Sequence, residues 1–281
     1  MKTQLFRGIM ALFLISLLFT GCNTGNKKVA ENDITFDSIV VKEAYHLLEN
    51  PENPNCDLQI KFNYPVKFAN KEVLQKIQKE FVVAYFGENY EKLTPQEAVD
   101  KYTKDYLKAY KELEPDLKAE LAKSDDAPIA AWFSYYEMST NQIVYNEKGL
   151  LSYIVNFENY TGGAHGSHSH TNHVVNLKTG MPITEEEIFN EDYQDTLAQL
   201  LVDKIAKQNK VDDAKELENV GFFSVDEIFP NGNFLVDNTG ITYTYNEYEI
   251  AAYVVGATRV HLPFEEIKFL LKKESPISQL F

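Results

Sequence analysis

Positive charge is scarce in this chain of 281 residues. It has 27 lysine and arginine residues against 42 aspartate and glutamate residues, which gives a formal net charge of −15 at pH 7. A nucleic-acid-binding protein needs a basic surplus that neutralises phosphates, so we do not expect nucleic acid as a partner. An acidic surface instead speeds the encounter with cationic partners, although it can also do no more than keep the protein soluble.

Long apolar runs are also scarce, with one exception at the N-terminus. Lys2 and Arg7 precede an uncharged apolar stretch from Ile9 to Phe19, and the segment ends at Cys22. This order of basic, apolar and small residues is that of a secretory signal. The run is shorter than the about 20 apolar residues that span a bilayer. We therefore predict a signal peptide over residues 1–21 and an exported protein.

The end of that segment, LFTGC at residues 18–22, resembles a bacterial lipobox, in which the cysteine is diacylated and becomes the new N-terminus. The resemblance implies a lipoprotein held at a membrane of the bacterial cell envelope through lipid on Cys22, facing the periplasm or the cell surface. Loss of residues 1–21 removes two cations and no acids, so the mature charge is 25 minus 42, or −17. Residues 22–33 are polar and aperiodic, which predicts a lipidated tether.

Thiols are too few for a disulfide framework. Acylation of Cys22 leaves Cys56 alone, so no intramolecular disulfide can form and the fold must depend on its core. About 250 residues suffice for such a core, and 44% hydrophobic residues indicate a globular chain. No linker or repeat divides residues 34–278, and we expect one α+β domain there, or two packed halves that meet near residues 158–168.

Hydrophobic periodicity predicts both strands and helices. Residues 57–64 alternate as in a strand with one wet face, ended by Pro65, and a helix runs from Asn70 to about Gly87. A capping box with proline at the first helical position, residues 94–97, starts the next helix. Predicted hairpins have their turns at residues 146–149 and 237–240, and an aromatic run at residues 132–136 is read as a further strand. The fold class is therefore α+β, with a mainly antiparallel sheet built from hairpins and amphipathic helices packed on it.

Motifs of familiar active sites are missing from the sequence. It contains no His-Glu-x-x-His helix, no paired cysteines, no phosphate-binding glycine loop and no Gly-x-Ser-x-Gly elbow. Carboxylates are too numerous for spacing alone to identify an acid–base pair. We therefore expect a protein that is not an enzyme and needs no cofactor.

Histidine is concentrated in one place, with four of the six residues at His165, His168, His170 and His173. Neutral imidazoles are common zinc and copper ligands, which suggests a metal site. The spacing matches no standard site, and the alternative is that these histidines are solvated in an exposed loop and strand start. The preceding glycines predict a constrained loop with positive φ.

Tyrosine is concentrated between Tyr243 and Gly256. Such a run forms a binding surface in some proteins, because tyrosine joins a flat apolar ring to a polar tip. It can equally be core with satisfied hydroxyls.

These two segments together carry a family resemblance. YTGGAHG at residues 160–166, VNLKTG at 175–180 and the later DNTGITYTYN and YEIAAYVVG at 237–246 and 248–256 resemble the extracellular domain of RsiV-like anti-sigma factors. In that family the domain is a lysozyme receptor, and related domains precede the catalytic domain of some peptidoglycan deacetylases or stand alone in lipoproteins. The motif residues that form a possible binding site are Tyr160, Gly162, Gly163, His165, Gly166, Tyr245, Tyr248, Glu249, Tyr253 and Gly256.

The resemblance implies a non-catalytic binding domain in the cell envelope, with a cationic protein such as lysozyme or a cell-wall component as ligand. Sigma-binding, transmembrane and deacetylase segments are not recognised in this chain, so neither signalling nor catalysis carries over. Two alternatives remain open at this point. One is a metal-dependent envelope enzyme or metal-binding protein that uses the histidines of residues 165–173, and the other is a structural lipoprotein that binds another envelope protein.

Overall fold

The computed structural model describes residues 32–123 and 128–281. The predicted signal peptide, Cys22 and nearly all of the predicted tether lie outside the described residues. Within the described part of the chain, no helix is long and apolar enough to cross a membrane.

Over the described residues, two β-sheets and seven α-helices make up the fold, which confirms the predicted α+β class. The strands of the larger sheet are β1 (Ile34–His46), β2 (Asn55–Phe68), β3 (Tyr135–Glu147), β4 (Leu150–Tyr160), β5 (Ser167–Asn176) and β6 (Met181–Pro182). The smaller sheet contains β7 (Phe234–Val236), β8 (Gly240–Tyr245) and β9 (Thr258–Pro263). The helices are α1 (Lys71–Phe86), α2 (Pro95–Lys111), α3 (Glu114–Leu121), α4 (Ile129–Phe133), α5 (Glu185–Ile188), α6 (Gln194–Gln208) and α7 (Phe264–Ile267).

Strands of the larger sheet lie in chain order, and only β2 and β3 are parallel. The four helices α1 to α4 connect these two strands, as a parallel pair requires a crossover. The hairpins at residues 147–150 and 236–240 are confirmed, and Gly149 has a φ of 76° in the first of them. Residues 158–168, where two halves could meet, form the continuous hairpin between β4 and β5 of this sheet.

Helix boundaries follow local signals. The side chain of Asn70 accepts hydrogen bonds from the first turn of α1, and Gly87 ends that helix. Thr94 and Glu97 form the predicted capping box of α2. A second capping box begins α5, but that helix has only four residues.

Two strand predictions were wrong. β2 continues past Pro65 to Phe68, because Pro65 lies opposite the register shift between Thr35 and Phe36, where a missing N–H is tolerated. Trp132 and Phe133 belong to α4 rather than to a strand, because Ser134 N donates to Ala130 O and closes the last helical turn just before β3 begins at Tyr135.

The larger sheet has a different core on each face. Alternate residues of β4 and β5, among them Tyr153 and Val175, pack with α1 and α2, whereas Leu150 and Val174 pack with the smaller sheet and α6. The smaller sheet is tied to the larger one by polar contacts as well, since Ser152 Oγ donates to Val236 O at 2.6 Å. A third, smaller cluster surrounds the buried Cys56 at the N-terminal end of β2.

Candidate functional site

The fold brings the two sequence motifs into contact at one end of the larger sheet. The first motif forms the loop of residues 161–166 between β4 and β5, and the second forms the loop of residues 246–257 after β8. Tyr253 Oη donates to Gly166 O at 3.2 Å. The His165 ring stacks on that of Tyr253 with 4.0 Å between centroids, and His165 Nε2 lies 3.3 Å from Tyr248 Oη. We call this region the hairpin end.

Glycines allow the hairpin loop to approach its neighbours closely. Gly162 has a φ of 81°, and a Cβ there would lie 2.8 Å from Trp132 O. A Cβ on Gly166 would lie 2.9 Å from Tyr136 Oη and 3.1 Å from Asn159 O. Contacts this short exclude a side chain, so both positions need glycine for a packing reason.

Tyr160 fixes the shape of the same loop. Its hydroxyl group donates to Gly163 O at 2.9 Å and also lies 3.4 Å from Ala131 O. The Tyr160 ring stacks on that of Tyr136 at 6.1 Å. The loop of the first motif is therefore supported by α4 and by β3, and its exposed side chains have a fixed backbone beneath them.

A histidine between two carboxylates joins the two motifs. His168 Nε2 lies 3.6 Å from Glu158 Oε1 on β4, and His168 Nδ1 lies 3.3 Å from Glu247 Oε1 on the second loop. Tyr136 Oη donates to Glu158 Oε1 at 3.1 Å, and burial together with this carboxylate raises the pKa of Tyr136. His168 therefore connects the second loop to β4 through these two carboxylates.

Asparagine side chains complete the backbone hydrogen bonding of β5 next to this histidine. His170 N donates to Asn246 Oδ1 at 2.7 Å, and Asn246 Nδ2 donates to His170 O at 3.2 Å. Asn233 repeats this arrangement one step along the strand, since its Oδ1 accepts from Asn172 N at 2.7 Å. The sequence analysis did not identify Asn233, Tyr136, Glu158 or Glu247 as site residues. Each belongs to the site through contacts in the folded chain, and no local sequence motif contains it.

The tyrosine-rich run divides between core and surface. Tyr245 is buried, its hydroxyl group donates to Phe229 O at 2.8 Å, and burial raises its pKa. Tyr248 is 57% exposed and has a φ of 65°, which is rare for a residue with a side chain. Glu249 shapes the loop, because its carboxylate accepts from Asn246 N at 2.8 Å. Gly256 has a φ of 75° and ends the run.

The four clustered histidines do not lie on one face of β5. β-strand alternation places His173 on the opposite face of β5 from His168 and His170. His173 stacks on Tyr153 at 4.9 Å, and burial lowers its pKa to about 4. His170 Nδ1 lies 2.7 Å from Asn156 Oδ1, and burial lowers its pKa as well. Among the described residues, no group of three or more His, Cys, Asp and Glu side chains is arranged to hold a metal ion.

Exposed apolar side chains lie on the second loop and on the chain segments that are hydrogen-bonded to it or to the end of β8. These side chains are Val220, Phe223, Phe229, Tyr248 and Val254, the last of which is 89% exposed. Backbone hydrogen bonds join the loops, since Phe223 N donates to Ile250 O at 2.9 Å and Ala252 N donates to Gly221 O at 2.8 Å. We call this set of five side chains the apolar patch.

The same chain segments are rich in carboxylates. Residues 212–230 contain six acids and one lysine, and all six acids are exposed. The second loop adds Glu247 and Glu249. An apolar centre with a charged rim is the usual composition of a protein-binding surface.

Comparison with known proteins agrees with this architecture. Residues 186–265 match the family described as "Protein of unknown function (DUF3298)", and residues 52–168 match the family described as "Deacetylase PdaC". A solved structure of a DUF3298 family member from Bacteroides fragilis is 35% identical, with a TM-score of 0.82 over 89% of this chain and 97% of that chain. The chain belongs to the DUF3298 family.

A second DUF3298 structure, from Pseudomonas aeruginosa, is 12% identical with a TM-score of 0.58, over 86% of this chain and 96% of that one, and shares the fold alone. No curated protein matches the chain. In this DUF3298 protein the first motif lies within the PdaC match and the second within the DUF3298 match. The two matched segments therefore meet at the hairpin end as well as where Ser152 contacts Val236.

Proposed function

We propose that this DUF3298 protein is an exported, lipid-anchored binding protein of the bacterial cell envelope, without catalytic activity of its own. Its ligand is a cationic protein of the lysozyme type, and the apolar patch with the adjoining hairpin end is the binding surface. One observation carries the proposal: exposed apolar side chains and carboxylates occur together on the second loop and on the loops that are hydrogen-bonded to it.

The composition of the patch favours a protein ligand. Exposed apolar residues on separate loops that are hydrogen-bonded together present a broad, rigid face, as in a protein-binding surface, rather than the enclosed pocket that a small molecule requires. Tyr248 and Tyr253 can contribute much of the affinity, since aromatic side chains dominate protein interfaces.

Charge favours a cationic ligand. The acids of residues 212–230 and of the second loop give this face a strong negative potential, and the mature chain has a charge of 25 minus 42, or −17. Complementary charge accelerates the encounter and selects against acidic partners. The resemblance to RsiV-like receptors supports lysozyme in particular, whereas a cell-wall glycan without positive charge would gain no charge complementarity from the carboxylates.

The match to "Deacetylase PdaC" is compatible with a binding role. That description belongs to the matched family, and the matched residues here supply β4 and the loop of residues 161–166 that contacts the second loop. The side chains of the hairpin end are engaged with each other, because His165 packs against Tyr253 and His168 lies between Glu158 and Glu247.

Calorimetric titration of residues 23–281 with lysozyme over a salt series tests the proposal. We expect binding that weakens as salt rises, and we expect Tyr248→Ala to weaken it about tenfold or more. Phe269→Ala is the matched control, because Phe269 is an exposed aromatic residue outside the patch. Absence of binding at low ionic strength, or equal losses in the two variants, would reject lysozyme binding at this surface.

A further inference from the structure

The opposite end of the larger sheet carries a second surface, of opposite charge. A cavity of about 360 Å³ lies between the β3–β4 turn, the β5–β6 turn and the C-terminal segment. Lys148, Lys178 and Lys273 line it, one from each of these three segments, together with Glu274. Three cations from separate parts of an acidic chain therefore converge on one place.

These lysines are free to act on something outside the chain. Lys178 and Lys273 are exposed, and Lys148 Nζ donates only to Gln279 O at 3.4 Å. Within residues 32–123 and 128–281, none of the three forms an ion pair with a carboxylate. Unpaired cations that lie close together repel one another, and a bound anion relieves this repulsion.

The chain enters the fold beside this cavity. Asn32 Nδ2 donates to Leu150 O at 2.8 Å, and Gly149 N donates to Asn32 Oδ1 at 2.7 Å. Gly149 itself lines the cavity. Ten residue steps separate Cys22 from Asn32, which reach at most about 35 Å when fully extended. A lipid on Cys22 therefore places a membrane surface within that distance of the three lysines.

We propose that the three-lysine cavity faces the membrane and binds the phosphate groups of anionic phospholipids, so that the anchored protein stands with its apolar patch outward. This inference rests on the proposed lipid anchor. β4 has 11 residues, which separates the lysine end from the hairpin end by about 35 Å. The acidic hairpin end is repelled by the same anionic surface that attracts the lysines, so both charges favour one orientation.

Vesicle co-sedimentation of residues 23–281 tests this inference without the lipid anchor, because all three hydrophobic cores lie within residues 34–281. Phosphatidylcholine vesicles with and without phosphatidylglycerol are compared at low ionic strength. We expect binding only to the anionic vesicles, and we expect the triple variant Lys148→Gln, Lys178→Gln, Lys273→Gln to bind about tenfold less.

The matched control replaces three lysines of α2 and α3, namely Lys104→Gln, Lys108→Gln and Lys118→Gln, and so has the same net charge. Equal losses in the two triple variants, or equal binding to both vesicle types, would overturn the inference. Calorimetric binding of inorganic phosphate that depends on the three lysines, without binding to anionic vesicles, would also overturn it, in favour of a soluble anion site.

Experiments can reject the ligand proposal and the membrane-orientation proposal independently. The lysine-cavity variant is expected to bind lysozyme as the wild type does, since the patch lies at the other end of β4. Loss of vesicle binding with unchanged lysozyme binding supports both proposals. A protein that binds anionic vesicles through these lysines but does not bind lysozyme would reject the ligand and leave the orientation intact.

Discussion

His173 should make this protein less stable in mild acid. Its ring is stacked on Tyr153 against the core beneath α1, and burial lowers its pKa to about 4 from an ordinary value of about 6.5. Between these two values the unfolded chain binds a proton that the folded chain does not bind. The contribution of His173 to stability is therefore complete above about pH 6.5 and is lost as the pH falls towards 4.

The size of the effect follows from the same two pKa values. Linkage gives a loss of about 2 kcal/mol at pH 5 relative to pH 7 for a fully buried ring. His173 is only partly buried, so we expect a loss of about 1 to 2 kcal/mol. For a domain of this size that corresponds to a fall in Tm of about 4 °C.

Urea denaturation at pH 7 and pH 5 measures this loss as a difference between variants. His173→Phe keeps a ring on Tyr153 and has no titrating group, so the wild type should lose about 1 to 2 kcal/mol more than this variant. Thr171→Val removes the hydroxyl group that lies 3.3 Å from His173 Nε2. It should keep the wild-type pH dependence, because burial and not this contact lowers the pKa. The same pH dependence in wild type and His173→Phe would refute the reasoning.

Three further predictions concern stability. Gly166→Ala should destabilise the fold by about 1 to 3 kcal/mol, because its Cβ would collide with Tyr136 and Asn159; a denaturation midpoint equal to that of the wild type would contradict this. Glu137 is buried and accepts a hydrogen bond from Tyr102 Oη at 2.7 Å. Glu137→Gln keeps an acceptor for this bond, so Glu137→Ala should have the lower Tm of the two variants in thermal melts. The reverse order would count against this hydrogen bond. Phe81→Ala should cost about 3 to 5 kcal/mol in urea denaturation, because the ring is fully buried against Tyr153; a loss below 1 kcal/mol would show that this core is not packed as described.

Local patterns predicted the elements whose cause is local. The capping box at Thr94 and Glu97 is complete within four residues, and the β3–β4 turn needs little more than Lys148 and Gly149 at positive φ. Both were therefore predicted from the sequence. β1 was not predicted, because its burial depends on pairing with β2 and its sequence has no clear alternation of apolar and polar residues.

Polar residues at core positions hid the character of β3. Glu137, Ser139 and Asn141 all point into the face covered by α1 and α2, where Tyr102, Tyr85 and Asn63 are their hydrogen-bond partners. A pattern that equates polar with exposed predicts a strand here but cannot detect that these three side chains are buried. The partners come from parts of the chain 35 to 78 residues away.

The candidate site was predicted in part for the same reason. The two motifs supplied the loops and the tyrosines, but they did not show that His168 lies between Glu158 and Glu247. Nor did they reveal that His173 points away from the other histidines, because that depends on the strand extending through residues 167–176. A loop does not direct its side chains in a regular pattern, whereas a strand directs alternate side chains to opposite faces of the sheet.

The placement of Val174 in one core and Val175 in the other has a mechanical consequence. A slip of β5 by one residue would exchange these two side chains and disrupt both cores together, so its register is held from both faces. The loop that precedes β5 is therefore attached to a strand whose register is fixed. A ligand at the hairpin end would meet a preformed surface and would spend little of its binding energy on ordering it.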